Sequence, residues 1–304
     1  MPELPEVETI ANGVHARVHG QRIVRVWTSG KPQTFKSPEP EIAAALTGAR
    51  IESVRRVGKT IVMTVHRGIT PDRKDVGAPS IAASSRWVGS AAGSSELLIH
   101  LGMTGRLLVS APEIPLAPHT HAVFTLDDRR EIRFVDPRRF GRISLNIPST
   151  LTTHNLQLTT SSYTGPGREP LTISLPDFIA LFHPRRTPIK AALLNQSLLH
   201  GIGNIYADES LFRAAIRPTR QAARLTRAEL ARLRTALIKV LRHAIKLGGS
   251  SVSDYVDAEG ARGLFQLRHR VYRRTGQPCL ACATPIRRIQ LAGRSTHFCP
   301  HCQR

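Results

Sequence analysis

The four cysteines of this 304-residue chain stand as two pairs, Cys279-Leu280-Ala281-Cys282 and, sixteen residues on, Cys299-Pro300-His301-Cys302. Each pair can form a tight knuckle, and four thiolates complete a tetrahedron around Zn2+. A closed all-sulfur set leaves no open coordination position, so the metal it implies is structural. His301 is a competing ligand, but the all-thiolate set is simpler. Confinement of all four to the last 26 residues argues against a disulfide framework and for a reducing compartment. Between the pairs, two strand-like runs meet at Leu291-Ala292-Gly293, placing Arg294 near a hairpin tip. With Arg287 and Arg288, a metal-braced hairpin is a rigid way to aim guanidinium groups at phosphates. The tail is too small to bury a core and needs its metal to fold.

Two further stretches carry chemistry. In LLNQSLLHGIGNIYADESLF (193–212), a helix is expected to end near Asn195 and a second to start near Asn204, with Gly201 and Gly203 in the turn between. Glycines admit a close backbone approach, and amides at a helix start favour phosphate. Asn204 is placed to bind that phosphate or to cap its own helix. The other stretch is the start, MPELPEVETI, where a proline and three glutamates open a basic protein. It has neither the basic n-region nor the apolar h-region of a signal peptide.

These groups need a scaffold and a partner. Lys plus Arg is 43 against 22 Asp plus Glu, a formal net charge of +21. That surplus exceeds what solubility needs and points to a polyanion, nucleic acid first. No apolar run reaches the ~20 residues of a membrane span. Residues 5–19 read as a helix with Val7, Ile10, Ala11, Val14 and Val18 on one face. Strand-like stretches follow at 22–28, 50–66, 96–109, 121–126 and 131–136, the last two flanking a turn at 127–130. Residues 67–96, rich in Ser, Ala and Gly, read as a surface insertion. Composition turns to Thr, Ser, Pro and Gly near 147–170, the best domain boundary, and beyond it the pattern is helical. A short helix begins at Asp177, Thr187-Pro188 resembles a cap with a first-turn proline, and Thr226 with Glu229 fits a capping box for a helix running to Gly248.

Together the motifs MPELPEVET, HLGMTG (100–105), DPRRFGR (136–142), GIGNIYADE (201–209) and the terminal cysteine hairpin resemble the bacterial formamidopyrimidine-DNA glycosylase family, related to endonuclease VIII. They occur in the family's order along nearly the whole chain. Leu4 resembles the formamidopyrimidine branch rather than endonuclease VIII, which typically has Gly there. The resemblance implies an α+β multidomain fold. Its parts are an N-terminal β-sandwich with flanking helices (1–148), a linker (149–168), a helical helix–two-turn–helix domain (169–270) and a zinc-finger β-hairpin (271–304). It implies a bifunctional base-excision repair enzyme that removes oxidised purines such as 8-oxoguanine and nicks the strand by β,δ-elimination. The expected cofactor is one structural Zn2+ on Cys279, Cys282, Cys299 and Cys302. The expected partner is double-stranded DNA with oxidised bases or abasic sites, bound by a monomer in the bacterial cytoplasm, at the nucleoid, with no membrane role.

Carried over residue by residue, Pro2, exposed once Met1 is removed, resembles the nucleophile and Glu3 the catalytic acid. Lys59 resembles a catalytic-site lysine that contacts the backbone at the lesion. Met103, Arg138 and Phe140 resemble the trio that fills the void left by the flipped base. Lys190 and Arg294 resemble phosphate contacts, and segment 250–270 the loop over the flipped base. Arg139 is expected to meet phosphate or Asp136. His100 joins the candidate DNA contacts, although an alternating strand equally fits a packed hairpin histidine. Glu6 is expected to support the site or the helix start, and Glu8 to be a solvated helix residue. The chemistry follows from the types. A secondary amine forms an iminium at the sugar C1′ readily, and an α-amino group (pKa ~7.7–8.0) is far more neutral near pH 7 than a lysine (~10.4). The positive end of helix 5–19 would lower the amine's pKa further. Glu3 supplies a proton as the sugar opens. Two other readings compete: a non-catalytic DNA binder, and an enzyme for oxidised pyrimidines. Asn195 departs from the family's usual Asp.

Overall fold

The computed structural model describes residues 1–67, 93–147, 150–153, 156–159, 162–252 and 255–304. Helix α1 (Leu4–Val18) buries Val7, Ile10, Ala11, Val14 and Val18, the apolar stripe read from the sequence. Then follow β1 (Ile23–Thr28), α2 (Glu39–Leu46), β2 (Arg50–Val57), β3 (Thr60–Arg67), β4 (Gly93–His100), β5 (Arg106–Ser110), β6 (Thr120–Leu126), β7 (Glu131–Val135) and β8 (Arg142–Asn146). They pair into two antiparallel four-stranded sheets, β1-β6-β7-β5 and β2-β3-β4-β8. Inward residues of both sheets, among them Ile61, Met63, Ile99, Phe124 and Phe134, share one core with the α1 stripe. This is the expected sandwich.

Two stretches read as single strands are each broken. Residues 50–66 fold back at Gly58-Lys59, where Gly58 has φ +62°, so Lys59 sits at a hairpin tip. Residues 96–109 divide at 101–105, and the halves β4 and β5 join different sheets. At the second break Leu101, Met103 and Leu107 keep the apolar alternation, so periodicity alone did not mark it; at the first, Lys59 falls on the apolar phase between Val57 and Ile61, and Gly58 was the turn signal passed over. Helix α2 and strand β8 were not anticipated. Most of the expected insertion 67–96 lies outside the described residues, although its ends belong to β3 and β4. The stretch expected as a linker carries a short antiparallel pair, β9 (Thr150–Thr153) with β10 (Leu156–Thr159).

The remaining helices are α3 (Leu175–Phe182), α4 (Ile189–Leu194), α5 (Asn204–Arg213) and α6 (Arg227–Lys246). Their apolar faces form a second core, into which Leu4 also packs. Thr226 and Glu229 close a capping box on α6. Thr187 does not cap α4: Pro188 takes the cap position without a side-chain bond, and the Ile189 amide donates to Arg220 O at 2.7 Å. The tail forms β11 (Arg287–Leu291) and β12 (Arg294–Phe298), an antiparallel hairpin.

Buried acids of α5 hold the tail to the helices, Asp208 at the hairpin and Glu209 at the segment leading to it. Asp208 accepts from His297 N at 2.9 Å and pairs with Lys190 Nζ at 2.7 Å, both side chains being fully buried. Glu209 accepts from the backbone amides of Arg270, Val271 and Tyr272 at 2.9–3.0 Å. Removing one member of a buried ion pair costs roughly 3–5 kcal/mol because the other is stranded. Lys190→Met should therefore lower the urea midpoint sharply, and adding Asp208→Asn should recover part of the loss. Equal stability of the single variant and the parent would contradict this account.

Candidate active site

The chain's first residues lie between its two cores. A cavity of about 480 Å3 is lined by Pro2, Glu3 and Glu6 from the N-terminus, Lys59 and Met103 from the sandwich, Asn204 from α5, and Arg294 from the hairpin tip. Glu3 is the N-cap residue of α1, and Glu3 with Glu6 forms a capping box. The Glu3 side chain also reaches the start of a second helix, accepting from Ile205 N at 3.1 Å and Tyr206 N at 3.4 Å. Thus the α5 amides expected to greet a phosphate are occupied by this chain's own carboxylate. The turn before α5 is shaped for it. A Cβ on Gly203 would stand 2.2 Å from the Glu3 carboxyl carbon. Gly201, at φ +88°, lies against Leu4, whose amide donates to Gly201 O at 2.9 Å.

Glu3 and Glu6 are both buried. Burial is the main reason the Glu3 carboxyl is pushed up to about 7, with Glu6 adding and Lys59 and the two α5 amides opposing. Glu6 is raised too, again chiefly by burial. It accepts from the Tyr206 hydroxyl at 2.5 Å, Ser250 N at 2.7 Å and Glu3 N at 2.9 Å. The site therefore holds a carboxyl that exchanges its proton near neutral pH beside a fully bonded one. Burial also holds the half-buried Lys59 ammonium below its ordinary value, Glu3 opposing and Arg294 adding to the shift. Pro2 is buried while Met1 is half exposed. Glu8, expected in solvent, instead pairs with the buried Arg56 at 2.5 Å.

A second group projects from two interlocked loops of the sandwich. Met103 and Phe140 are 42% and 51% exposed, unusual for such side chains, and the Arg138 guanidinium lies 5.0 Å from the Phe140 ring centre. Asp136, fully buried, ties the loops by accepting from Thr104 Oγ1 at 2.6 Å and Gly141 N at 2.7 Å. A Cβ on Gly102 would come within 2.5 Å of the 140–141 backbone, so the approach demands glycine. The Arg139 guanidinium does not meet the Asp136 carboxylate, whose oxygens are taken up by the loops; only its backbone amide donates to Asp136 O, at 3.3 Å, while the guanidinium reaches Gln33 Oε1 at 3.4 Å. His100 faces a separate depression beside Phe140, and its Nδ1 accepts from Gly102 N at 3.1 Å, the packed hairpin role.

One expectation about phosphate contacts changes, and one about capping. Lys190 is fully buried, and its ammonium is bound to Asp208, Ser295 O and Thr296 Oγ1 at 2.7–2.8 Å. All its donors are spent within the protein, so it is a tie between helix and hairpin and not a phosphate ligand. Asn204 does not cap its helix, since Gly203 holds that position; its amide donates to Ser295 O at 2.9 Å while it lines the cavity. Of segment 250–270, residues 253–254 lie outside the described residues. Its described part crosses to the sandwich, where Ala258 joins the core and its carbonyl accepts from Val109 N at 3.2 Å. Tyr206 and Glu209 were missed. For Glu209, an acid among the apolar positions of a helix was the available signal, since a carboxylate seldom enters a core without donors.

The Sγ atoms of Cys279, Cys282, Cys299 and Cys302 lie within 4.8 Å of one another. Neighbouring Sγ separations of 3.3, 3.5 and 3.9 Å bracket the roughly 3.8 Å edge of a tetrahedron with ~2.3 Å Zn–S bonds. The donor set fits zinc, and His301 is exposed outside it.

Comparison with known proteins agrees with this geometry. Residues 1–143 match the family model of the formamidopyrimidine-DNA glycosylase N-terminal domain, 166–256 that of its H2TH domain, and 276–304 that of the zinc finger found in FPG and IleRS. A formamidopyrimidine-DNA glycosylase of Solibacter usitatus is 42% identical over 311 residues, covering all of both chains. The crystal structure of the MutM (FPG) protein from Thermus thermophilus is 37% identical, with TM-score 0.76 over 99% of this chain and 98% of that one. A Lactococcus lactis FPG variant in complex with a Fapy-dG containing DNA is 28% identical, with TM-score 0.80 and full coverage of both chains.

Two outcomes are expected of the isolated protein. The Glu3 carboxyl binds its proton more tightly folded (about 7) than at its ordinary 4.5. Its contribution is therefore complete below pH 4.5 and is lost as pH rises through 7, on the order of 3 kcal/mol. Urea unfolding from pH 4.5 to 7.5 should show a steeper loss in the parent than in Glu3→Gln, which keeps only the contribution of Glu6; parallel profiles would refute it. Removing zinc with a chelator, or Cys299→Ser, should unfold the hairpin and release Arg294, seen as new amide exchange across β11 and β12. Unchanged protection there would refute a structural metal.

Proposed function

The chain belongs to the formamidopyrimidine-DNA glycosylase family, and on that premise we propose that it is a bifunctional DNA glycosylase and AP lyase of base excision repair. It removes oxidised purines, 8-oxoguanine and formamidopyrimidines, from double-stranded DNA and then nicks the strand. Zinc on the four thiolates is structural: when bound it braces the β11–β12 hairpin and takes no part in the chemistry. Among the described residues no helix is long and apolar enough to cross a membrane. The proposed setting is the bacterial cytoplasm, at the nucleoid, with the protein acting as a monomer. The proposed division is 1–148, 169–270 and 271–304, with DNA between the first two.

The observation that carries the mechanism is Glu3, a buried carboxyl with its pKa pushed up to about 7, in one cavity with Pro2 and Lys59. With Met1 removed, the neutral Pro2 amine attacks C1′ of the flipped nucleotide. The C1′–base bond breaks, and the base leaves with the bonding pair and takes up a proton. Glu3 gives its proton to the ring oxygen as the sugar opens, and the amine lone pair forms the iminium. The iminium acidifies the C2′ hydrogens. Proton loss there expels the 3′ phosphate, and a second elimination expels the 5′ phosphate. Lys59 and Arg294 hold phosphates at the lesion, with Asn204 beside them. Glu6, bonded by Tyr206 and Ser250, fixes the first turn of α1 and so the direction of the Pro2 nitrogen. Flipping costs a few kcal/mol; Met103 and Phe140, already exposed, fill the vacated stack while Arg138 meets the orphaned base.

A side-by-side nicking assay tests this reading. Duplex with 8-oxoguanine opposite cytosine should be cut well before duplex with thymine glycol opposite adenine. Pro2→Gly should abolish base excision and Glu3→Gln should slow it ~10²–10⁴-fold, with duplex binding retained. Preference for thymine glycol would replace the substrate class, and full activity in both variants would sink the mechanism.

A further inference from the structure

Helix α6 carries a charge pattern that the reaction does not use. Arg232, Thr235, Lys239, Arg242 and Lys246 are all exposed and recur at spacings of three and four residues, which sets them along one stripe of the helix. The opposite face, with Leu230, Leu233, Leu237, Val240 and Leu241, is buried in the helical core. The stripe therefore points straight out from the domain. From Arg232 to Lys246 it runs about 21 Å at ~1.5 Å per residue. Among the described residues none of its four cations has an ion-pair or hydrogen-bond partner. The nearby acids are engaged elsewhere, Glu229 with Arg220 and Glu209 with Arg213. A merely solvated helix face gains from interspersed acids at i and i+4, whereas like charges at that spacing destabilise the helix. Arg242 and Lys246 stand at that spacing.

The stripe is also remote from the cavity. Arg232, Thr235 and Lys239 border a shallow depression with Arg213, the last residue of α5, whereas the cavity is lined by Asn204, the first residue of that helix. No stripe residue lines the cavity.

We infer that the outer face of α6 is a second docking surface for duplex DNA, which binds the phosphate backbone of a segment other than the one in the cleft. An unpaired straight row of cations complements a row of phosphates, and its lack of base-reading geometry makes the contact sequence-independent. An anionic membrane suits it less, because interfacial helices bury an apolar face in lipid and the apolar face of α6 is already inside the protein. The surface lets the enzyme hold one duplex while the cleft inspects another.

The inference rests on the cleft being the reacting site, and the experiment reads the two separately. The protein is first cross-linked to a short lesion duplex with borohydride, which fills the cleft covalently. The complex is then titrated with a labelled undamaged duplex. The parent complex should capture it, and the variant Arg232→Gln/Lys239→Gln/Arg242→Gln/Lys246→Gln should bind it at least tenfold more weakly with unchanged cross-linking yield. Equal capture by parent and variant, or no capture by the parent, overturns the inference. So does capture of phosphatidylglycerol vesicles in preference to duplex. If the parent does not cross-link, the reaction mechanism falls. The surface is then read from free protein on undamaged duplex, where the variant must show a salt slope shallower by about 0.9 for each phosphate it no longer neutralises. An unchanged slope overturns it.

Discussion

A carboxylate taken out of water is tolerated only if donors replace the water. In this fold the carboxylate of the third residue finds them at the start of a helix two hundred positions away, at Ile205 and Tyr206. That one contact sets much of the rest. It brings the beginning of α1 against the beginning of α5, so the positive ends of both helices face one carboxyl. It requires glycine at 203, because any side chain would occupy the space of the Glu3 carboxyl. It also closes the cavity between the two cores around the chain's own start. Two amides are too few to offset full burial, and the carboxyl keeps its proton to about pH 7. Incomplete compensation thus yields a group able to give up a proton under ordinary conditions.

Two nitrogen-bearing residues, Lys59 and Pro2, border that cavity, and they differ in how their environment treats them. Lys59 has an ammonium pressed toward neutrality by burial, with Arg294 adding to the effect. In the proposed mechanism its part is to hold phosphate, which needs the charged form, and the bound phosphate itself supplies the stabilising negative charge. The Pro2 nitrogen becomes an amine only when Met1 is gone. It then starts from a lower intrinsic pKa than lysine, and as a secondary amine it gives an iminium. Its position is fixed by Glu3 and Glu6 on the first turn of α1, which is itself anchored at Tyr206 and Ser250.

Much of this was legible in the sequence because it is local. The α1 stripe, the α6 capping box and the zinc spacing each depend on residues within one element or one short tail. The cavity residues Pro2, Glu3, Lys59 and Arg294 were legible through motif resemblance, since nothing local says that positions 3 and 205 meet. What failed was of two kinds. Apolar alternation hid the turn at Gly102, and the rich apolar runs on either side of Gly58-Lys59 hid the one there, so two broken strand pairs read as single strands. The fate of Lys190 depends on how the hairpin docks on α5. Asp208 draws the Lys190 ammonium inward, and a buried acid on one helix with a lysine on another leaves no signature in spacing.

In the proposed mechanism the amine of Pro2, held by the Glu3 junction, is the group that bonds to the sugar. Borohydride reduction of the reacting complex followed by peptide mapping of the adduct identifies that group. The reduced sugar is expected on the nitrogen of Pro2, in an N-terminal peptide lacking Met1. An adduct on Lys59 would contradict it.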